Sequence, residues 1–320
     1  MISRRFDLTA PSTELFREIG LRESRVLQSF SFDNANGRLY VVGLVQPGRR
    51  LAGETRSYSG PEREANGDLF VSCLDLTGAV VGRMYLRGFG HGVSIAAEPS
   101  GDGAFLWTET DAVQAWDARK QTHIGWGSKL ARFAFTDGAV LTPDSPGLTT
   151  FSPVPGADRT TVAVDPVSNR LAVRYRAGGS GSTFAYGLYD LEAFKAGTFT
   201  PLATVGEPDD VGIFQGFTSL GGYLYLIDGT TYEYDAKGHA LDPDGNTYLT
   251  GVSWDTGEQV ERRLTRAGNS LYFREPEGLA IQLPDPGDPE AARLVMGFAS
   301  EASATSTGKK ASFYYKAALV

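Results

Sequence analysis

Gln28-Ser29-Phe30-Ser31-Phe32-Asp33, then a turn at Asn36-Gly37, then Arg38-Leu39-Tyr40-Val41-Val42: two short apolar runs flank a dipeptide that readily takes positive φ. Alternation of period two reads as half-buried strands, and Asn-Gly between such runs reads as a tight hairpin. The same plan returns at His91-Gly92-Val93-Ser94-Ile95, with a turn at Ser100-Gly101 and Ala104-Phe105-Leu106-Trp107-Thr108 following. It returns again at Thr160-Thr161-Val162-Ala163-Val164, turning at Ser168-Asn169 into Arg170-Leu171-Ala172-Val173. A fourth copy begins at Gln215-Gly216-Phe217, turns at Gly221-Gly222 and continues Tyr223-Leu224-Tyr225-Leu226-Ile227. The fifth begins at Glu277-Gly278-Leu279-Ala280-Ile281 and reaches Arg293-Leu294-Val295-Met296 after a longer turn. A period of about sixty residues is the mark of a repeat architecture.

Each unit also supplies a second apolar hairpin, at 69–86, 130–141, 184–205 and 248–264. Four antiparallel strands repeated radially make one blade of a β-propeller, and radial closure removes long exposed sheet edges. The fifth unit is one strand short, and the N-terminal run 5–9 (RFDLT) is the natural supplier. The expected fold is therefore all-β: a single five-bladed β-propeller domain over 1–320, with blades near 28–86, 91–141, 160–205, 215–264 and 277–317 plus 5–9. Helix is expected only at 12–19, where Ser12 reads as an N-cap, and at 191–196.

The chain has 320 residues and a formal net charge of −8, an acidic balance that argues against non-specific nucleic-acid binding. With one cysteine, no intrachain disulfide or Cys-based zinc site can form. No run approaches the roughly 18 apolar residues of a membrane span, and the opening Met1-Ile2-Ser3-Arg4-Arg5 carries no apolar signal core. The protein is expected in the cytoplasm, or outside the cell by a non-classical route or after removal of a leader.

In an up-and-down blade the first strand lines the axis. If its start defines the upper face, the loops between second and third strands fall on that face too. Those loops are the long ones (46–68, 110–128, 176–183, 229–246 and 300–310), so the upper face is the expected working face. The first residues of the inner strands, Gln28, His91, Thr160, Gln215 and Glu277, should ring one central funnel. The small residues after them, Ser29, Gly92, Gly216 and Gly278, let strands crowd the axis. Upstream lie Arg25, Arg87, Arg159 and Arg274, so an acidic protein is expected to hold a locally basic funnel suited to phosphate or carboxylate.

Every one of these residues also has a structural reading. Gln28, Thr160 and Gln215 can simply bridge blades, and Arg274-Glu275-Pro276-Glu277-Gly278 can be a salt-bridged corner. Trp116, His123 and Trp126 on the long loop of the second blade can stack on a ligand or anchor the loop. Asp242-Pro243-Asp244-Gly245-Asn246 opens like a calcium loop but lacks the later ligands, and reads as a plain turn; His239 beside it reads as solvated. Nucleophile elbow, P-loop, zinc-protease and dinucleotide fingerprints are missing.

The segments Arg5-Phe6-Asp7-Leu8-Thr9, Gln28-Ser29-Phe30-Ser31-Phe32-Asp33, Gly88-Phe89-Gly90-His91-Gly92, Leu106-Trp107-Thr108-Glu109, Phe214-Gln215-Gly216-Phe217, Arg274-Glu275-Pro276-Glu277 and Phe313-Tyr314-Tyr315-Lys316 resemble the five-bladed propellers of the teichoic acid biosynthesis protein C-like family. The chain is similar along its length to the propeller platform of phage receptor-binding (baseplate) proteins. The resemblance implies a cell-wall teichoic acid or related polyol-phosphate polymer as partner and a place outside the cell, at its surface or on a virion-like particle. One departure, the lack of a helical stem before the propeller, weighs against the virion.

Three functions follow as expectations. The first is a binding module whose funnel holds the anionic polymer through Gln28, His91, Arg159, Gln215, Arg274 and Glu277, with Trp107, Glu109 and Trp126 contributing. The second is a hydrolase cutting its phosphodiesters, with His91 as general acid/base, Arg159 and Arg274 stabilising phosphoryl charge, and Glu275 or Glu277 as base or as ligands of a divalent cation such as calcium in the channel. The third is a protein–protein scaffold. Oligomeric state is not legible in the chain.

Overall fold

The structure is a computed structural model that describes residues 4–179 and 181–320; Met1, Ile2 and Ser3 of the opening, and Ser180 of the loop 176–183, lie outside the described residues. Five antiparallel sheets form a ring, a five-bladed β-propeller. From axis to rim, blade 1 comprises Leu27–Asp33, Arg38–Leu44, Leu69–Asp75 and Val80–Leu86. Blade 2 comprises Ile95–Ser100, Gly103–Asp117, Thr122–Ala134 and Thr149–Phe151. Blade 3 is Asp158–Asp165, Arg170–Arg176, Phe184–Asp190 and Ala203–Gly206, and blade 4 is Phe214–Leu220, Tyr223–Asp228, Thr247–Ser253 and Gln259–Thr265. Blade 5 takes Tyr272–Gln282, Arg293–Glu301 and Lys310–Lys316 from the C-terminal end, and its outermost strand is Thr13–Ile19.

That last strand corrects two expectations. The segment 12–19 is a strand and not a helix, and it closes blade 5 in place of 5–9. Leu15, Phe16 and Ile19 mimic helical spacing because register shifts on either side of Phe16, with Glu18 at φ 53°, break the period-two alternation. Residues 5–7 do pair, but with the chain end, as Arg5 and Val320 exchange backbone hydrogen bonds and Asp7 donates to Ala318.

Blade 2 also differs from expectation. The loop 110–128 is a continuous hairpin that prolongs Gly103–Asp117 and Thr122–Ala134 beyond the blade body, paired as far as Asp117 and Thr122. The short strand after Asp137-Gly138, Val140–Leu141, adds in parallel to the rim of blade 1, and the fourth strand of blade 2 comes from Thr149–Phe151. Two short helices interrupt the strands. Helix α1 (Gly60–Asn66) lies unexpected within the loop 46–68; Ser59 and Glu62 form a reciprocal capping box and Gly67 ends it at φ 72°. Helix α2 (Leu191–Lys195) falls where expected.

Each seam between neighbouring blades holds an apolar cluster. Phe30, Leu39 and Val41 of blade 1 meet Ala280, Val295 and Phe313 of blade 5, and Val42, Val71 and Met84 meet Ile95, Leu106 and Phe133 of blade 2. Trp107, Val162 and Phe194 seal blades 2 and 3, Tyr186 and Phe217 blades 3 and 4, and Ile227, Leu279 and Met296 blades 4 and 5. Burying an aliphatic or aromatic side chain of this size stabilises by roughly 1.5–3 kcal/mol, so the ring is held mainly by what lies between sheets.

Along the axis all five inner strands converge. Phe30, Phe32, Ile95, Val164, Thr218 and Ile281 line a channel whose free space is about 10 Å³, at the lower limit for one water. A Cβ on Gly216 would lie 2.6 Å from Gly278 Cα, and a Cβ on Gly278 would lie 3.0 Å from Ser29 Cα. Only side chains this small admit such approach, which closes the channel where the inner strands converge.

Candidate functional site

Above that closure the inner strands and two loops bring charged and aromatic groups of four blades into contact with their neighbours. Gln28, second residue of Leu27–Asp33, and Glu277, midway along Tyr272–Gln282, lie side by side, with Gln28 Nε2 donating to Glu277 Oε1 at 3.4 Å. Both are at most 9% exposed. Burial pushes Glu277 well above the usual carboxylate range and the adjacent Glu275 adds to this, while burial raises Glu275 too against a hydrogen bond from Thr231. Burial thus disfavours the charged form of both carboxyls, of Glu277 the more strongly.

A second group of residues is aromatic and cationic. The His91 ring packs 4.9 Å from the Trp126 ring, centroid to centroid, and the Arg159 guanidinium sits 4.4 Å over the same indole. Arg159 is half-buried at φ 51°, and its side chain makes no hydrogen bond to any described residue. Its charge is penalised first by burial and then by Arg176, itself tied to Asp158. A desolvated guanidinium with unspent donors is a ready site for a phosphate or carboxylate.

His91 is held by its neighbours. The Glu109 carboxylate accepts the backbone N–H of Gly92 at 2.6 Å and of Gly127 at 2.5 Å, and the N–H groups of His91 and Val93 also point at it. Burial lifts Glu109 to about 7 against those donors. The imidazole itself is pushed down to about 3, chiefly by burial and then by Lys120. A neutral ring makes the 3.9 Å approach of its Nδ1 to Glu64 Oε1 no ion pair, and Nδ1 is left without a hydrogen-bond partner.

Lys120, at the tip of the blade 2 hairpin, pairs with Glu64 of α1 at 2.8 Å. Its charge is felt by His91 on one side and by Glu275 and Glu277 on the other, so the tip lies near both groups. α1 braces the hairpin closely, since a Cβ on Gly125 would lie 2.7 Å from Ala65 O. Neither Lys120 nor Glu64 was among the residues expected from the sequence. Ser59-Gly60-Pro61-Glu62, a capping box with proline in the first turn, is the signal that betrays α1.

Several expected residues belong to the scaffold. Arg274 is fully buried; its guanidinium donates to the carbonyls of Ala267 and Thr265, to Thr247 Oγ1 at 2.8 Å and to Asn246 Oδ1, and lies over the Tyr232 and Phe298 rings. Those contacts aim it into the blade 4–5 wall and away from a ligand, and burial lowers it to about 10. Trp107 is core, stacked on Phe151 with Nε1 donating to Glu98. Glu109, with its oxygens on backbone N–H groups, positions His91 and cannot reach a ligand. Gln215 stays half-buried at the rim and donates to Gly229 O, while Thr160 is buried. Arg87 turns to Glu54 and Ala52 O, and Arg25 stays half-buried with Nε unpartnered. Trp116 and His123 pack on each other at the exposed end of the hairpin. In the calcium-like turn Asp244 pairs with Arg266 and Asn246 caps Thr230 and Thr231, and His239 is exposed. Glu275 and Glu277 lack a third acidic or histidine side chain that would complete a cation site among the described residues.

Residues 26–306 match the family described as the phage five-bladed β-propeller receptor-binding platform domain. A protein of Bacillus subtilis (strain 168) named for major teichoic acid biosynthesis, protein C, is 29% identical over 299 residues, covering 92% of this chain and 61% of its own. Among solved structures, the tail fiber of a Staphylococcus aureus phage superposes with a TM-score of 0.70 at 17% identity, over 98% of this chain and 54% of the fiber. This chain thus spans little more than half the length of either relative. No helix among the described residues is long and apolar enough to cross a membrane.

Proposed function

Because the chain belongs to the family of phage five-bladed β-propeller receptor-binding platform domains, we propose that the site above the closed channel recognises an anionic cell-wall glycopolymer of the teichoic-acid type. The observation that carries this reading is the Arg159–Trp126–His91 stack, together with two carboxyls whose charged form burial disfavours. Arg159 has donors to spare for a phosphodiester, Trp126 offers a flat apolar face for a sugar or polyol, and Gln28 with the carboxyls matches hydroxyl groups. The name of the Bacillus relative supports this polymer class, and the receptor-binding family supports work at a cell surface or on a virion.

Cleavage of the polymer has less in its support. A histidine held near 3 is neutral at neutral pH and so has no imidazolium proton for general-acid catalysis, and Arg274, the second phosphoryl-stabilising candidate, faces the scaffold. The test is retention on purified walls before and after chemical removal of teichoic acid. Retention should require the polymer, fall at least tenfold in Arg159→Ala and Trp126→Ala, and release no soluble polyol phosphate. Undiminished retention by both variants would overturn this assignment of the binding site.

A further inference from the structure

We propose a second, separate site for phosphate-ester anions, in the cleft on the side of the ring where Thr13–Ile19 of blade 5 faces the end of Gln259–Thr265 of blade 4. The cleft encloses about 510 Å³, within the range of small-molecule sites, and shares no residue with the site above the channel. Four cationic side chains, Arg17, Arg263, Arg266 and Lys316, line it against one acid, Glu14, in a chain whose net charge is −8. Such a reversal of local sign focuses anions into a concave surface.

The deepest of the four is Lys316, 4% exposed. Its ammonium donates to the carbonyl of Ala10, and no carboxylate lies within ion-pair distance of it among the described residues. Burial lowers its pKa against only distant help from Asp7 and Glu261, so an entering anion would relieve an uncompensated charge. Arg17 is fixed by neutral groups, Tyr314 Oη at 3.0 Å and Ser270 Oγ at 3.2 Å, with Glu14 and Glu18 no nearer than 3.6 Å. Arg263 and Arg266, half-exposed or more, reach Glu261 and Asp244 and are free to swing inward. Leu8, Pro11 and Leu264 supply apolar wall beside the Thr9, Ser12 and Ser270 hydroxyls, a mixture suited to a polyol backbone between phosphates. An occupant would bridge the closing strand to blade 4 and so stabilise ring closure by mass action.

The test is calorimetric titration of the full chain with a glycerol-phosphate tetramer, inorganic phosphate and glycerol, paired with thermal melting. Arg17 and Arg263 side chains are 35% and 54% exposed, so Arg17→Gln/Arg263→Gln should melt like the wild type without ligand. Expected is saturable tetramer binding that survives Trp126→Ala, weakens at least tenfold when Arg17→Gln/Arg263→Gln is added to Trp126→Ala, and raises the wild-type melting temperature. Saturation by inorganic phosphate as well assigns the site to the free anion, and by tetramer alone to the polymer; either supports it. Equal affinity in Trp126→Ala with and without the double substitution, binding of plain glycerol, or no binding by any probe overturns it. Because Trp126→Ala disables the site above the channel alone, failure of the cleft and failure of that site are told apart.

Discussion

Burial drives both Glu277 and His91 toward neutrality, which gives them opposite pH dependences. The folded pKa of Glu277 is raised above its usual 4.5, so its share of stability is full below 4.5 and is lost as pH rises through the folded value. The folded pKa of His91 is depressed from 6.5 to about 3, so its share is full above 6.5 and is lost as pH falls toward 3. Above pH 6.5 His91 is silent and Glu277 is not. Glu277→Gln, which keeps the shape and removes the titration, should therefore be about 1 kcal/mol or more stabler than wild type at pH 8 and closely matched to it near pH 4.5. Urea unfolding at the two pH values measures this; identical stabilities at pH 8 would show that the carboxyl ionises freely. Glu109, held at about 7, contributes the same slope to both proteins and cancels from the comparison.

Among the elements, α1 shows how a loop becomes part of a site. Its Arg63 is fully buried and bonds Glu54 and Asp68, a set of charges that anchors the loop 46–68 beneath the hairpin carrying Lys120. Ser59→Ala should cost about 1 kcal/mol through the lost cap, whereas Arg63→Met should cost about 3–5 kcal/mol by leaving the buried Asp68 carboxylate without an ion pair and Glu54 with only the longer contact to Arg87. Urea midpoints of the two variants rank them, and a reversed order would mean the cap, not the ion cluster, holds the loop. The hairpins at Asn36-Gly37 and Asn169 were legible because each needs a residue tolerant of positive φ, and the meeting of Gln28 with Glu277 was legible because radial repetition places equivalent positions together. Strand Thr13–Ile19 was not, since its bulges shift the alternation into a helix-like phase. Arg274 and Trp107 were misassigned for a related reason: a motif gives a residue's position along a strand but not the face it occupies. Lys120 and Glu64 come from loops outside the repeat, where symmetry offers no guide.

The whole ring depends on one interlocking pair, Thr13–Ile19 against Lys310–Lys316, reinforced by the backbone bonds of Arg5 and Asp7 to the last three residues. Removing residues 1–19 should leave Lys310–Lys316 as an unprotected edge, abolish cooperative unfolding and promote association; a synthetic peptide of residues 4–19 should restore a single sharp transition. Circular dichroism melting and size-exclusion chromatography read both effects, and a truncated chain that melts like the full one would show that four blades and a three-stranded fifth suffice. Partners so far apart in the chain also impose an order of events during synthesis. Residues 13–19 leave the ribosome long before residues 310–316 and have no partner strand until those are translated, so the segment must wait, solvated, while the intervening strands are made. Its sparing use of apolar residues, Leu15, Phe16 and Ile19 interleaved with Glu14, Arg17 and Glu18, keeps a waiting segment soluble while the other blades assemble beside it.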